Sequence, residues 1–391
     1  MVALEQFDED DLRDLSRRTD RLGVLSVYVN ADLVHDPNLQ GAAIDLKNRF
    51  RELQRRIADG TESGPSREVA DALERLWPRI EPLVSPTDSA RGRVAFAALD
   101  SDWMLLLASA MPVTNRLVLD DGPFIHPLLE LLDEGRAAGI VIVSETEARL
   151  LEWRAGSLQM VSRMEHEYVE APHERAGHIG GGPSGQINSP KREQRQDRER
   201  GRAERFVDQV TKVAAELAAE RGWKRILVSG GERLTDPTIS RFPQALRDIV
   251  FADTRVLNGL DDAALAATVT EWAHQQHSEH ESRLLKRIRD AVGSGTGALG
   301  LSEVAAALNS GRVAHLVYDP EVRYVGTIGA DGALYGGDEI GPNAAPGTPE
   351  SRFTERLVER ALETGARISP VEGAAGAELS AAAGIGALLR W

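Results

Sequence analysis

The sequence predicts a three-domain α/β protein. Its 391 residues are more than one ordinary hydrophobic core accommodates. β-Branched strand-like runs alternate with amphipathic helical stretches along the whole length. Charge is also unevenly shared: residues 1–135 hold 15 basic and 25 acidic side chains, a net of −10, whereas 273–391 hold 11 and 15, a net of −4. The segment 136–272 is left close to neutral, at −1. These three segments are the expected domains.

In the first segment, the acidic run Asp8, Glu9, Asp10 and Asp11 suits the positive end of an opening helix. Val24 to Val29 reads as a strand, and Ala42 to Ile57 as a long amphipathic helix. Arg93 to Leu99 and Trp103 to Ala108 form an expected strand pair joined through Asp100-Ser101-Asp102, with another strand at Arg116 to Leu119. A short helix from Pro127 to Glu134 closes the segment.

The middle segment begins with Gly139 to Val143, a run apolar enough for a buried strand. Ala148 to Trp153 and Ser157 to Val161 flank Arg154-Ala155-Gly156, which reads as a hairpin turn. Gly180-Gly181-Gly182-Pro183-Ser184-Gly185-Gln186 follows, with four glycines and no large apolar side chain. Such a stretch cannot join a core, so an exposed, permissive loop is expected. A helix is predicted from about Pro190 to Glu220. In its first half Lys191, Arg192, Arg195, Arg198, Arg202 and Arg205 share one face, while Glu193, Asp197 and Glu204 gather opposite. In its second half Phe206, Val207, Val210, Val213 and Leu217 form an apolar stripe, so only the first half need project from its own core. Arg225 to Ser229 is the next strand, ending at Gly230-Gly231.

In the third segment a helical stretch covers Asp261 to Ala291, entering from the middle segment, and Gly293 to Gly297 reads as flexible. Ser302 is the expected N-cap of a helix over Glu303 to Leu308, closed by Ser310-Gly311. Val313 to Tyr318 is a strand, Gly341 to Gly347 a loop, Pro349 to Thr364 a helix and Ala366 to Ser369 a strand.

Composition narrows the classes of function. No run of about 18 apolar residues occurs, and Met1 to Asp8 lacks the basic-then-apolar order of a secretory signal. The chain contains no cysteine, which removes disulfides, zinc–cysteine sites and thiol nucleophiles. A cytoplasmic protein is the simplest expectation. The overall charge of −15 argues against general coating of nucleic acid, so any RNA contact should be local to the basic helix.

Three other patterns invite sharper readings. Gly180, Gly182 and Gly185 satisfy Gly-x-Gly-x-x-Gly, but no strand-to-crossover-helix context surrounds them, so a dinucleotide site is not expected. His274, His277 and His280 with Glu281 suggest a metal; three residues advance a helix by about 300°, so the three rings diverge and a wet helix face is expected. Gly230-Gly231 lacks a following Gly-Lys-Ser/Thr and reads as a structural turn.

With these segments in order, the chain resembles the bacterial relatives of the archaeo-eukaryotic release factor and Pelota family. Vms-type peptidyl-tRNA hydrolases and Pelota-like ribosome hibernation factors are related to that family. Val24 to Val29 with the Ala42–Ile57 helix resembles the N-terminal domain. Gly139 to Trp153, the glycine loop, the arginine helix and Arg225 to Gly231 resemble the middle domain, which the resemblance makes RNase H-like. Ala305 to Val313 and Gly384 to Trp391 resemble the C-terminal domain, which it makes L7Ae-like.

In hydrolytic members of the family a Gly-Gly-Gln loop enters the peptidyl transferase centre and helps water attack the peptidyl-tRNA ester. Gly185 and Gln186 match the second glycine and the glutamine, while Ser184 stands at the first glycine position. The resemblance therefore implies Gln186 as the water-orienting residue and Gly185 as the point of close approach. It implies Lys191, Arg192, Arg195, Arg198 and Arg202 as contacts to RNA phosphates. The Asn-Ile-Lys-Ser and cysteine-containing motifs of stop-codon readers are absent, so codon-independent action is expected. No metal or organic cofactor is implied. The implied partner is the ribosome, through rRNA and peptidyl-tRNA, with room for a translational GTPase. Rescue by ester hydrolysis is the first expectation. A non-enzymatic hibernation factor at the same site is the second, and an acidic protein-binding adaptor is the third.

Overall fold

The structure, a computed structural model, describes residues 1–7, 9–32, 39–59, 66–85, 90–166, 189–253, 255–337, 350, 352–371 and 373–391, with the backbone alone at 9, 39, 40, 66, 189–199 and 232. It forms two compact units: Met1–Gly135 together with Ala273–Trp391, and Arg136–Trp272. The described residues hold sheets of five, five and four strands and a two-stranded ribbon, with helices packed on them, so the chain is mixed α/β.

The N-terminal part of the first unit runs β1 (Val2–Ala3), α1 (Glu9–Ser16), β2 (Val24–Asn30), α2 (Leu39–Ala58), α3 (Ser66–Ile80), β3 (Gly92–Ala98), β4 (Met104–Ser109), β5 (Arg116–Asp120) and α4 (His126–Glu134). The sheet order is β1-β4-β3-β2-β5, antiparallel except where β1 lies parallel to β4. Period-two alternation decides its faces. Leu25, Val27 and Val29 of β2, with Ala95 and Ala97 of β3, pack against Phe50, Leu53 and Ile57 of α2 and Leu73 and Ile80 of α3. Full burial of each large apolar side chain is worth about 1.5–3 kcal/mol, which ties these helices to the sheet. On the opposite face Tyr28 meets Phe96 edge-on, with ring centroids 5.9 Å apart. Tyr28 Oη donates to the Phe124 carbonyl at 2.6 Å, and the Phe124 N–H donates to Ser26 Oγ at 2.9 Å.

The second unit contains β6 (Ala138–Val143), β7 (Glu147–Arg154), β8 (Ser157–Glu165), α5 (Ser189–Arg221), β9 (Arg225–Gly230), α6 (Glu232–Arg241), β10 (Val250–Asp253) and the start of α7 (Asp262–Gly293). Its sheet order is β10-β9-β6-β7-β8, with β6, β9 and β10 parallel and β6, β7 and β8 an antiparallel meander. That is the strand order of an RNase H-like sheet. The β7–β8 hairpin turns on Ala155 and Gly156, both at positive φ (46° and 82°), the conformation a two-residue hairpin loop needs. Gly139 is required by packing: a Cβ there would lie 2.0 Å from the Trp223 ring. Trp223 Nε1 in turn donates to Glu152 Oε2 at 2.8 Å. Gly230-Gly231 is a structural turn, since a Cβ on Gly230 would meet the Val143 carbonyl at 2.5 Å and Gly231 caps α6.

The C-terminal part of the first unit contains β11 (Gly297–Leu299), α8 (Leu301–Asn309), β12 (Val313–Tyr318), β13 (Gly326–Ile328), β14 (Leu334–Gly336), α9 (Phe353–Glu363), β15 (Arg367–Pro370), α10 (Gly373–Leu379) and β16 (Ile385–Leu389). The sheet order is β11-β16-β12-β15, with only β12 and β15 parallel. Within this unit α4 packs against β15 and α1 against α9. Two sequence expectations change here. Ser302 does not cap α8; Gly300, at φ 88°, does, and Ser302 Oγ donates to the Gly336 carbonyl at 3.3 Å. Only glycine takes that backbone conformation without strain, and it starts the helix two residues early. α9 begins at Phe353, later than the expected Pro349, because Arg352 is its N-cap, outside helical geometry, and its N–H donates to Glu350 Oε1 at 3.0 Å. The expected loop over Gly341 to Gly347 lies outside the described residues.

Candidate nucleic-acid interface

α5 is continuous from Ser189 to Arg221, a length of about 50 Å at 1.5 Å per residue. Its C-terminal half is fixed by burial of Phe206, Val210, Ala214 and Ala218 against the sheet of the second unit, and Val207 is buried as well. Thr211 Oγ1 donates to the Val207 carbonyl at 2.8 Å, and Asp208 pairs with Arg241 of α6 at 2.6 Å. The N-terminal half has no apolar stripe to bury. Ser189 therefore stands about 25 Å along the helix from the Phe206 anchor.

The base of the preceding segment is anchored beside the same residue. His166, directly after β8, stacks on Phe206 with ring centroids 4.7 Å apart. Its N–H donates to the Thr146 carbonyl, and its Nδ1 bonds the Glu145 carbonyl, both at 2.8 Å. Nothing in the sequence pattern signalled this contact, because His166 and Phe206 belong to different local periodicities.

Arg200, Arg202 and Arg205 are exposed. Among the described residues, no carboxylate lies within ion-pair distance of any of the three. Exposed, unpaired guanidinium groups are free to hold phosphate, which they meet with a planar fork of donors. Gly201 between them has no packing reason: a Cβ there would find nothing nearer than Arg205 Nη1 at 4.0 Å. It weakens the helix locally by about 1 kcal/mol relative to alanine.

Of the sequence-derived site residues, Arg202 is thus an exposed side chain on the helix. Lys191, Arg192, Arg195 and Arg198 occupy helical backbone, and their side chains lie outside the described residues. Ser184, Gly185 and Gln186 lie outside them altogether, as does the whole Gly180–Gly185 dinucleotide-like pattern.

The histidines of α7 correct one expectation. His277 is not on a wet face: its side chain is only 14% exposed and pairs with Glu281, equally shielded, at 3.5 Å. His274 pairs with Glu134 at the end of α4. Glu281 is the i+4 neighbour on the same helix, whereas Asp133 and Glu134 come from α4, which helical spacing could not reveal. Burial alone lowers the affinity of His277 for its proton, but the hydrogen bond and charge of Glu281, with Asp133 and Glu134, outweigh it and raise the pKa above the ordinary value. Among the described residues, no group of three His, Asp or Glu side chains could hold a metal ion. Nor is any described helix long and apolar enough to cross a membrane.

Comparison with known proteins bears on the same region. Residues 123–278 match the model of bacterial archaeo-eukaryotic release factor family 10. No curated protein matches the chain in sequence. Among solved structures, the archaeal translation termination factor aRF1 is 19% identical, over 100% of this chain and 99% of its own, with a TM-score of 0.27. Dom34 of S. cerevisiae, a translation termination-like factor in RNA quality control, is 11% identical, over 76% of this chain and 80% of its own, at 0.39. Pelota of Archaeoglobus fulgidus is 16% identical, over 77% and 79%, at 0.33. Scores this low carry no inference about what the chain does. The family match spans the glycine-rich sequence, the basic helix and the sheet that anchors it, so over residues 123–278 the chain is similar to bacterial archaeo-eukaryotic release factor family 10.

Proposed function

We propose that the protein binds the ribosomal A site and rescues stalled ribosomes, independently of the codon, by promoting hydrolysis of the peptidyl-tRNA ester. The observation that carries this reading is the family match over residues 123–278, which contain both Ser184-Gly185-Gln186 and the basic helix. In this reading the exposed arginines of α5 hold rRNA or tRNA phosphates, which position the factor without reading sequence. Gly185 lets the loop backbone approach the ester, and Gln186 orients the attacking water. An amide suits that role because it orients water by hydrogen bonding and does not take up its proton at neutral pH. The acidic N-terminal part, which lacks stop-codon motifs, contributes no codon preference.

A second reading is supported by Ser184, which replaces the first glycine of the family's loop and narrows its backbone freedom. In that reading the protein occupies the same ribosomal site as a hibernation factor and performs no chemistry. One experiment separates the two. Purified protein is added to ribosomes carrying labelled peptidyl-tRNA over a stop, sense or empty A-site codon, and binding and peptide release are followed together. Rescue predicts binding and release at equal rates on all three complexes. Binding without release supports hibernation, and no binding refutes both.

A further inference from the structure

A cleft of about 550 Å³ opens in the first unit between the last turns of α7 and the sheet β11-β16-β12-β15. Its floor includes one row across three strands, Leu388 of β16, His315 of β12 and Arg367 of β15, which are register partners. His315 is buried and shares a 2.9 Å hydrogen bond between Nε2 and Ser369 Oγ, which fixes the floor. The wall carries Arg287 and Asp290 of α7, with Thr296 at the turn beyond.

The two arginines are the informative feature. Both are exposed, and among the described residues neither has a carboxylate within ion-pair distance. Arg289, two residues further along α7, pairs with Glu378 at 2.5 Å, and on α9 Arg356 and Arg360 pair with Glu359 and Glu363 at 2.7 and 3.3 Å. In a chain of net charge −15, two guanidinium groups from different elements thus face one cleft whose described lining holds a single carboxylate, Asp290, paired with neither of them. Guanidinium forks match the oxygens of phosphate, and the volume falls within the range of roughly 300–1,000 Å³ typical of small-molecule sites. Leu388, Leu389 and Ala291 supply apolar surface, while Asp290 and Thr296 can accept hydrogen bonds from sugar hydroxyls.

We propose that this cleft binds a small phosphate monoester of a sugar or nucleoside, with Arg287 and Arg367 on the phosphate. The site is separate from the proposed ribosomal function and does not depend on it. The test is calorimetric titration of the full chain at low salt with adenosine 5′-monophosphate, ribose 5-phosphate and adenosine. Both phosphate esters should bind at one site and adenosine should not. Tighter binding of the nucleotide identifies a nucleoside phosphate as the ligand class, and equal binding identifies the sugar phosphate as sufficient. Arg287→Gln and Arg367→Gln, on separate elements, should each weaken binding about tenfold or more without moving the ligand-free melting midpoint. Charge reversal at Arg195 and Arg198 on α5 should leave it unchanged. The proposal is overturned if neither ester binds, if adenosine binds as well as its monophosphate, if both cleft variants bind like wild type, or if the α5 variant alone loses binding.

Discussion

His126 and Tyr318, 192 residues apart in sequence, meet through a buried 2.6 Å hydrogen bond between the imidazole Nδ1 and the phenol hydroxyl. The other ring nitrogen of His126 lies 3.3 Å from Glu355 Oε1 on α9. The three side chains join the N-terminal and C-terminal parts of one compact unit. Burial alone would raise the Glu355 pKa. The hydrogen bond and charge of His126, with Arg352, outweigh burial and lower it. Nearby, Arg352 pairs with Asp120 at 2.8 Å, so polar contacts between the two parts recur along this seam.

Tyr318→Phe should therefore destabilise this unit by about 1–3 kcal/mol, because it strips a buried imidazole nitrogen of its partner while removing no apolar volume. Urea denaturation followed by tryptophan fluorescence measures the change. A stability equal to wild type would show that the hydrogen bond contributes nothing net.

The His277–Glu281 pair should make stability fall at mildly alkaline pH. The folded-state pKa of His277 is raised above its ordinary value of 6.5, so its contribution is complete below that value and is lost as pH rises through the folded one. Urea midpoints taken between about pH 6 and pH 9 should decline in wild type and decline less in His277→Gln. Parallel profiles for the two proteins would contradict the assignment.

Ribosome binding should depend on the basic half of α5. Replacing Arg195, Arg198 and Arg202 together with glutamate should weaken co-sedimentation and flatten its salt dependence, by about 0.9 in the log–log slope for each phosphate no longer neutralised. The melting midpoint should hold, since Arg202 is exposed and the buried anchor starts at Phe206. Unchanged binding across a salt series would remove this helix from the interface.

If the protein hydrolyses peptidyl-tRNA, Gln186→Ala should slow peptide release on the order of 100-fold with little change in ribosome affinity, because the side chain acts mainly in the transition state. Ser184→Gly should preserve or raise the rate by restoring backbone freedom to the loop. Single-turnover release from saturated complexes reads both. Release by Gln186→Ala at the wild-type rate would leave hydrolysis intact and assign it to another group.

Local periodicity is what made much of this chain readable. Val24 to Val29, Gly139 to Val143 and Arg225 to Ser229 were legible as strands because their apolar runs are short and β-branched, and α5 because its charged half and its apolar stripe share one 3.6-residue period. The candidate site residues were legible only as a motif and a charged face. Their chemistry rests on Ser184-Gly185-Gln186 and the arginine spacing, both properties of consecutive residues. Long-range relationships had no such local signature. The parallel pairing of β1 with β4, the contact of Ser302 with Gly336, the pairing of His274 with Glu134 of α4 and the stacking of His166 on Phe206 each depend on distant segments. The same holds for the row Leu388–His315–Arg367 and for the His126–Tyr318 bond, which strand register and helix docking bring together. Sequence alone determined the α/β class, many of its strands and helices and the basic helix, because each follows from patterns within one turn or one pleat, while α3, α6, β10, β13 and β14 were not read from it. Tertiary structure decided which polar groups are paired and which arginines stand free, because burial and counter-charge come from whichever segment packs alongside.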